Sequence, residues 1–155
     1  MNRQNEGMTY PCGREILSIS FPGLRESTGG AVGAVVRAVA GAGLSTVIDR
    51  QKLHLVIDEA VTNAMEHGNG WDPAKKVTVV VSHAAGRLRI AIGDEGGGFR
   101  PDACTPATGT LKNRGRGLSL MRHFCETAWN DKGNVVILYF ALIEKPMASC
   151  AVRTP

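Results

Sequence analysis

The stretch Asp58-Glu59-Ala60-Val61-Thr62-Asn63-Ala64-Met65-Glu66-His67-Gly68-Asn69 decides the reading of this chain. Glu59 and Asn63 stand four residues apart, a spacing that puts both on one face of a helix. The helix is predicted over 49–67, with Asp49 as its cap and Gly68-Asn69-Gly70 as its stop. At 100° per residue Glu59, Asn63, Glu66 and His67 share one arc. Leu53, Ile57, Ala60 and Ala64 share the neighbouring arc, which must be core. The polar arc therefore runs along the rim of the core, where a partly dry carboxylate can serve as a general base. An amide oxygen one turn on suits Mg²⁺, which prefers hard oxygen ligands. Taken alone, such a set is equally compatible with a solvated helix face.

Two further blocks follow in order. Asp94-Glu95-Gly96-Gly97-Gly98-Phe99 comes at the end of a predicted strand over 87–93. Asp94 continues the phase of Leu88, Ile90 and Ile92, so it points toward the buried face and needs a donor there. The amino group of adenine is such a donor. Gly96 and Gly98 carry no Cβ and let a flat ring approach the backbone. Arg114-Gly115-Arg116-Gly117-Leu118 opens a helix predicted over 115–127, with Leu118, Met121 and Cys125 inward. Its free N–H groups and positive dipole end suit phosphate. Lys112, Arg114 and Arg116 add charge. No Gly-Lys-Ser/Thr occurs, so this is not a P-loop. In this order the three blocks read as an ATP site.

The rest of the chain frames these blocks. Its 155 residues suffice for one domain with a real core. Strands are predicted over 15–21, 76–82, 87–93 and 135–142, the middle pair joined at Ala84-Ala85-Gly86. A helix over 27–43, capped by Ser27 or Thr28, carries the stripe Val32, Val35, Val36 and Val39. Residues 95–113 lack periodicity and read as a lid loop. The expected layout is a flexible 1–13, a domain over 14–144 and a flexible 145–155. The fold class is α+β, with helices on one face of a mostly antiparallel sheet.

A net charge of +4 with no long Lys/Arg run gives no sign of direct nucleic-acid binding. No apolar run is long enough for a membrane span. Cys12, Cys104, Cys125 and Cys150 stand apart from any zinc spacing and read as reduced thiols of a cytoplasmic protein.

The three blocks resemble the N, G1 and G2 boxes of the GHKL (histidine kinase-like) ATPase superfamily, over about residues 14 to 142. Asp58 to Ala64 and the ending His67-Gly68-Asn69 most resemble the bacterial anti-sigma factor serine-protein kinases. The resemblance implies a Bergerat-type two-layer sandwich and the cofactors ATP and Mg²⁺. It implies Glu59 as catalytic base, Asn63 as Mg²⁺ ligand and Asp94 as the adenine-binding residue. Gly96 and Gly98 match the G1 glycines, and Gly115 and Gly117 the G2 glycines. Arg114, Arg116 and Leu118 belong to the same nucleotide-binding block. It implies a sigma factor and an anti-anti-sigma factor as partners, the second phosphorylated on serine. Family members commonly form homodimers.

Two positions bear on the branch. Family members often carry Thr in the last strand near adenine, where this chain has Asn134-Val135-Val136-Ile137-Leu138. Ser119 stands where histidine kinases frequently have Gly, which favours the anti-sigma branch. Two other readings stay open. One is a nucleotide-dependent binding module without catalysis, against which the pair Glu59 and Asn63 argues. The other is a detached histidine-kinase ATP-binding domain; against it, the first histidine, His54, lies inside the N box. His67 is expected to order the helix end. Trp71 and Trp129 are expected to pack, and His83 and His123 carry no role.

Overall fold

The computed structural model describes residues 13–44, 49–98 and 116–142. Alternating apolar residues generate the sheet. Strand β1 (Arg14–Pro22) pairs with β2 (Lys76–Ala84), which pairs with β3 (Arg87–Gly93). Next come β5 (Val135–Ala141) and, at the edge, β4 (Glu126–Trp129). The order is β1-β2-β3-β5-β4 and every neighbouring pair is antiparallel. Ala85 and Gly86, both at positive φ, form the two-residue turn between β2 and β3. Paired left-handed residues match the twist of the strands they join.

Register sets one face against the helices. Val79, Ile92 and Val136 lie side by side across three strands, as do Val81, Ile90 and Leu138. Helix α1 (Ser27–Gly41) adds Ala31, Val32, Val35, Val36 and Val39 to the same core. Helix α2 (Arg50–Asn63) adds Leu53, Val56, Ile57, Ala60 and Val61, and α3 (Arg116–Phe124) adds Met121. The apolar stripes read from the sequence are thus the ones buried. Among the described residues no helix is long and apolar enough to cross a membrane.

Four local features differ from the sequence expectation. Neither Ser27 nor Thr28 caps α1. Its N-cap is Glu26, without a side-chain bond. A backbone turn meets the first donors instead, Ser27 N–H reaching Leu24 O and Thr28 N–H reaching Arg25 O. The Thr28 hydroxyl donates to Met65 Sδ at 3.4 Å. The second helix does keep its Asp49 cap, Oδ1 accepting from Gln51 N–H at 2.8 Å. It is not α-helical to its end, because Ala64–Gly68 forms a π turn. The helix predicted to reach residue 127 ends at Phe124, and Glu126–Trp129 is a strand. All four of those residues find partners on β5, and this pairing overrides the weak local pattern.

The predicted flexible ends, apart from Gly13, and most of the lid, residues 99–113, fall outside the described residues. Cys125, the one cysteine among them, donates its thiol to Met121 O at 3.2 Å. Burial pushes this thiol up to about 12, so it stays protonated and serves packing.

Ile90 sits at the centre of the core with no exposed surface. Ile90→Ala should cost about 2–5 kcal/mol of folding stability, the usual scale for truncating a buried aliphatic side chain. Urea denaturation followed by circular dichroism measures it as a lower midpoint.

Candidate functional site

The end of α2 is the foundation of the site. Asn69 N–H bonds Ala64 O at 2.9 Å, the i to i−5 pattern of a π turn. Such turns frequently occur at functional sites. The wide turn lays Gly68 against the carboxylate of Asp94 so closely that a Cβ on Gly68 would overlap it. A Cβ on Gly96 would in turn overlap Gly68 O. Asn69, buried to 3% exposure, ties the same corner together. Its Nδ2 donates to Lys76 O at 3.0 Å, and its Oδ1 accepts from Glu95 N–H at 2.9 Å. Lys76 N–H donates to Glu95 Oε2 and closes the loop.

Asp94 is held from the sheet side by the β4–β5 turn. Its N–H donates to Asn134 O at 2.9 Å, and its carbonyl accepts from Asn134 Nδ2 at 2.8 Å. Asn130 Oδ1 accepts from the N–H groups of Asn134 and Val135, fixing that turn. Gly98, at φ 80°, packs onto Lys132 O with no room for a Cβ. The Asp94 carboxylate uses Oδ1 to accept Gly96 N–H at 2.8 Å. Its Oδ2 has no hydrogen bond among the described residues. Burial raises its pKa above the ordinary 3.8. The Gly96 N–H and the charges of Lys132 and Lys75 offset this only in part.

A cavity of about 510 Å³ opens between α2, α3 and the sheet. This is the size range of small-molecule sites. Glu59, Asn63 and His67 line one side, and Asp94 adjoins its Gly68 end. Ile92, Val136, Trp129, Met121 and Leu118 supply apolar walls, and Gly98 and Gly117 stand at its border. Asn63 Nδ2 approaches Glu59 Oε1 at 3.4 Å, a long bond that leaves Asn63 Oδ1 to face other groups. Gly117 lies so close to the Glu59 carboxylate that a Cβ there would overlap it. A side chain at Gly117 would require the Glu59 carboxylate to move.

The structure therefore gathers Glu59, Asn63, Asp94, Gly98, Gly117 and Leu118 around one cavity. Gly96 is buried behind Asp94, on Gly68, rather than on the cavity wall. Arg116 begins α3. Its side chain, and all of Arg114 and Gly115, lie outside the described residues. His67 is the basic residue of the last turn and is exposed on the cavity side, while Gly68 and Asn69 make the contacts that tie the helix end down. Asn134 and Trp129 also belong to the site and were missed. The unusual Asn-Asp-Lys-Gly-Asn turn at 130–134 was the available signal for the first.

A neutral asparagine oxygen beside a carboxylate suits a Mg²⁺ ion that takes its other ligands from phosphate and water. Among the described residues no three His, Cys, Asp or Glu side chains gather as a metal cage. The unshared Oδ2 of the half-buried Asp94, beside apolar walls, suits a flat ring carrying an amino donor.

Asp94→Asn tests the energetic reading of this corner. A carboxyl whose folded pKa is raised binds more protons folded than unfolded, so it lowers stability as pH rises from about 3.8 through the folded value. Asparagine keeps an oxygen for Gly96 N–H and removes that cost. The variant should melt no lower than wild type at pH 7. Its stability should not fall over that acidic pH window because of residue 94. Melting curves between pH 3 and 7 (roughly the window bracketing this titration) check both outcomes.

A family model described as a histidine kinase-like ATPase domain matches residues 22–140. No curated protein matches the chain. Among solved structures the chain is similar to the histidine kinase domain of the blue-light activated histidine kinase from Erythrobacter litoralis EL346. The TM-score is 0.45 at 20% identity, over 74% of this chain and 61% of that one. The family model takes in β1's last residue through most of β5, and with them all three blocks: the chain belongs to the histidine kinase-like ATPase domain family, whose members generally bind ATP with Mg²⁺.

Proposed function

We propose that this chain is an ATP-dependent serine protein kinase that acts as an anti-sigma factor. In this reading it sequesters a sigma factor and phosphorylates a serine on an anti-anti-sigma partner. The observation that carries the catalytic part is the shared cavity: Glu59 and Asn63 line the same space as Asp94 and touch each other. Adenine binding alone needs neither a base nor a metal ligand. The sequence of the N box, Asp58 to Ala64 with His67-Gly68-Asn69, supports the serine-kinase branch over other members of the family.

Asp94 Oδ2 accepts the adenine amino group, and the apolar walls take the ring. Asn63 Oδ1 is the protein's ligand to Mg²⁺, which neutralises charge on the phosphates when bound. Glu59 takes the proton of the incoming serine hydroxyl. The hydroxyl oxygen bonds to the γ-phosphorus, the bond to the β–γ bridging oxygen breaks, and ADP leaves. Positioning and electrostatics do most of the work in such a transfer. A homodimer is part of the proposal on the same branch resemblance.

Glu59→Gln retains the side-chain shape and removes the base. Turnover on the partner serine should fall by a factor of roughly 100 or more, with ATP affinity little changed. Asn63→Ala should lose the Mg²⁺ dependence of ATP affinity as well. Labelled-phosphate transfer and calorimetry on the two variants separate these effects. Wild-type transfer by Glu59→Gln would remove the base assignment. ATP binding by the wild type, with no transfer to any candidate partner, would favour the non-catalytic binding module.

A further inference from the structure

Trp129 reaches the cavity although it lies on the short edge strand β4. Its register explains how. Trp129 pairs with Val136, which pairs with Ile92, so the three side chains form one row across β4, β5 and β3 on the core face. Asp94 is two residues beyond Ile92, the next position on that face. All four residues line the same cavity, and Leu118 and Met121 of α3 stand on its helical side. The sheet wall of the cavity therefore carries the acceptor for an exocyclic amino group at the end of β3 and an indole two strands away, on β4.

The indole is held in place from outside the cavity. The Arg122 guanidinium lies over the ring, 5.6 Å from its centroid, and Arg122 is not among the lining residues. A cation on an aromatic face stabilises the ring's position and is favoured by its quadrupole. An aromatic ring backed in this way offers the cavity a stiff, apolar and polarisable wall. Such walls take nucleobases by stacking, more strongly for the larger purine surface.

We propose that Trp129 is a base-contacting residue of the nucleotide site and sets its preference for a purine over a pyrimidine. The inference rests on the ATP-binding reading above. It adds a division of labour: Asp94 selects the amino group, and Trp129 selects the size of the ring system.

The chain has two tryptophans, and Trp71, under Arg25 at 4.5 Å, does not line the cavity. Trp71→Phe therefore leaves Trp129 as the sole indole reporter in the full chain. Titration with Mg-ATP should change its emission along the same saturation curve that calorimetry gives. Trp129→Ala should weaken ATP binding about tenfold and bring the ATP and CTP affinities together, since it removes the stacking surface while both bases keep an amino group for Asp94. Trp129→Phe, which keeps an aromatic wall, should retain most of the ATP over CTP ratio. A merely structural role would weaken both nucleotides in proportion and leave the ratio unchanged. ATP binding by calorimetry with silent Trp129 emission and an unchanged ratio in Trp129→Ala would overturn the inference. A wild-type chain that binds no ATP would instead overturn the nucleotide-site reading on which it rests.

Discussion

The contact between Gly68 and the Asp94 carboxylate sets the geometry of everything around it. It fixes the end of the N-box helix on the end of β3, and so fixes Glu59 and Asn63 relative to the sheet. The contact exists because neither Gly68 nor Gly96 has a side chain. A Cβ at the first would overlap the carboxylate, and a Cβ at the second would overlap the Gly68 carbonyl. The π turn brings Gly68 into this place, and the extra residue it accommodates lets Asn69 turn inward. Asn69 then bonds to Lys76 O and Glu95 N–H, two backbone groups from opposite sides of the corner. A buried amide with both ends satisfied holds such a corner more strictly than apolar contact, because any slip leaves a polar group unpaired.

The sheet and the core stripes were legible because each has a simple period. Asp94 could be placed on the buried face from Leu88, Ile90 and Ile92 alone, and the structure puts it there. The features that escaped have no period of their own. Glu126–Trp129 is a strand only through its pairing with β5, and its four residues are too few to alternate visibly. The π turn is one extra residue inside a continuous helical pattern, so no spacing rule reveals it. Gly68 looked like an ordinary helix stop, while its reason is a contact with a residue 26 positions on. Trp129 looked like packing, and it does pack, under Arg122, but its place at the end of the Ile92–Val136 row depends on that unseen strand. Long-range pairing, not local chemistry, decided each of these.

The electrostatics of the corner show why a carboxylate can be kept there without a saturating partner. A Lys or Arg bonded directly to Asp94 would stabilise its charge and also occupy the oxygen that faces the cavity. Instead, Lys75 and Lys132 act at a distance, and a single backbone N–H from Gly96 takes one oxygen. Desolvation still wins, which is why the pKa moves up. The backbone of Asp94 is clamped separately, by Asn134 on both its N–H and its carbonyl, so the side chain stays aimed although it is under-bonded. The fold thus holds a half-satisfied acceptor in a fixed position at the end of an apolar slot. A ligand with one amino donor and a flat ring gains more there than in water, because the site has already met the cost of positioning and partial desolvation. The same argument explains Gly68 and Gly96: each removes a side chain where backbone must stand close to Asp94 without competing for its free oxygen.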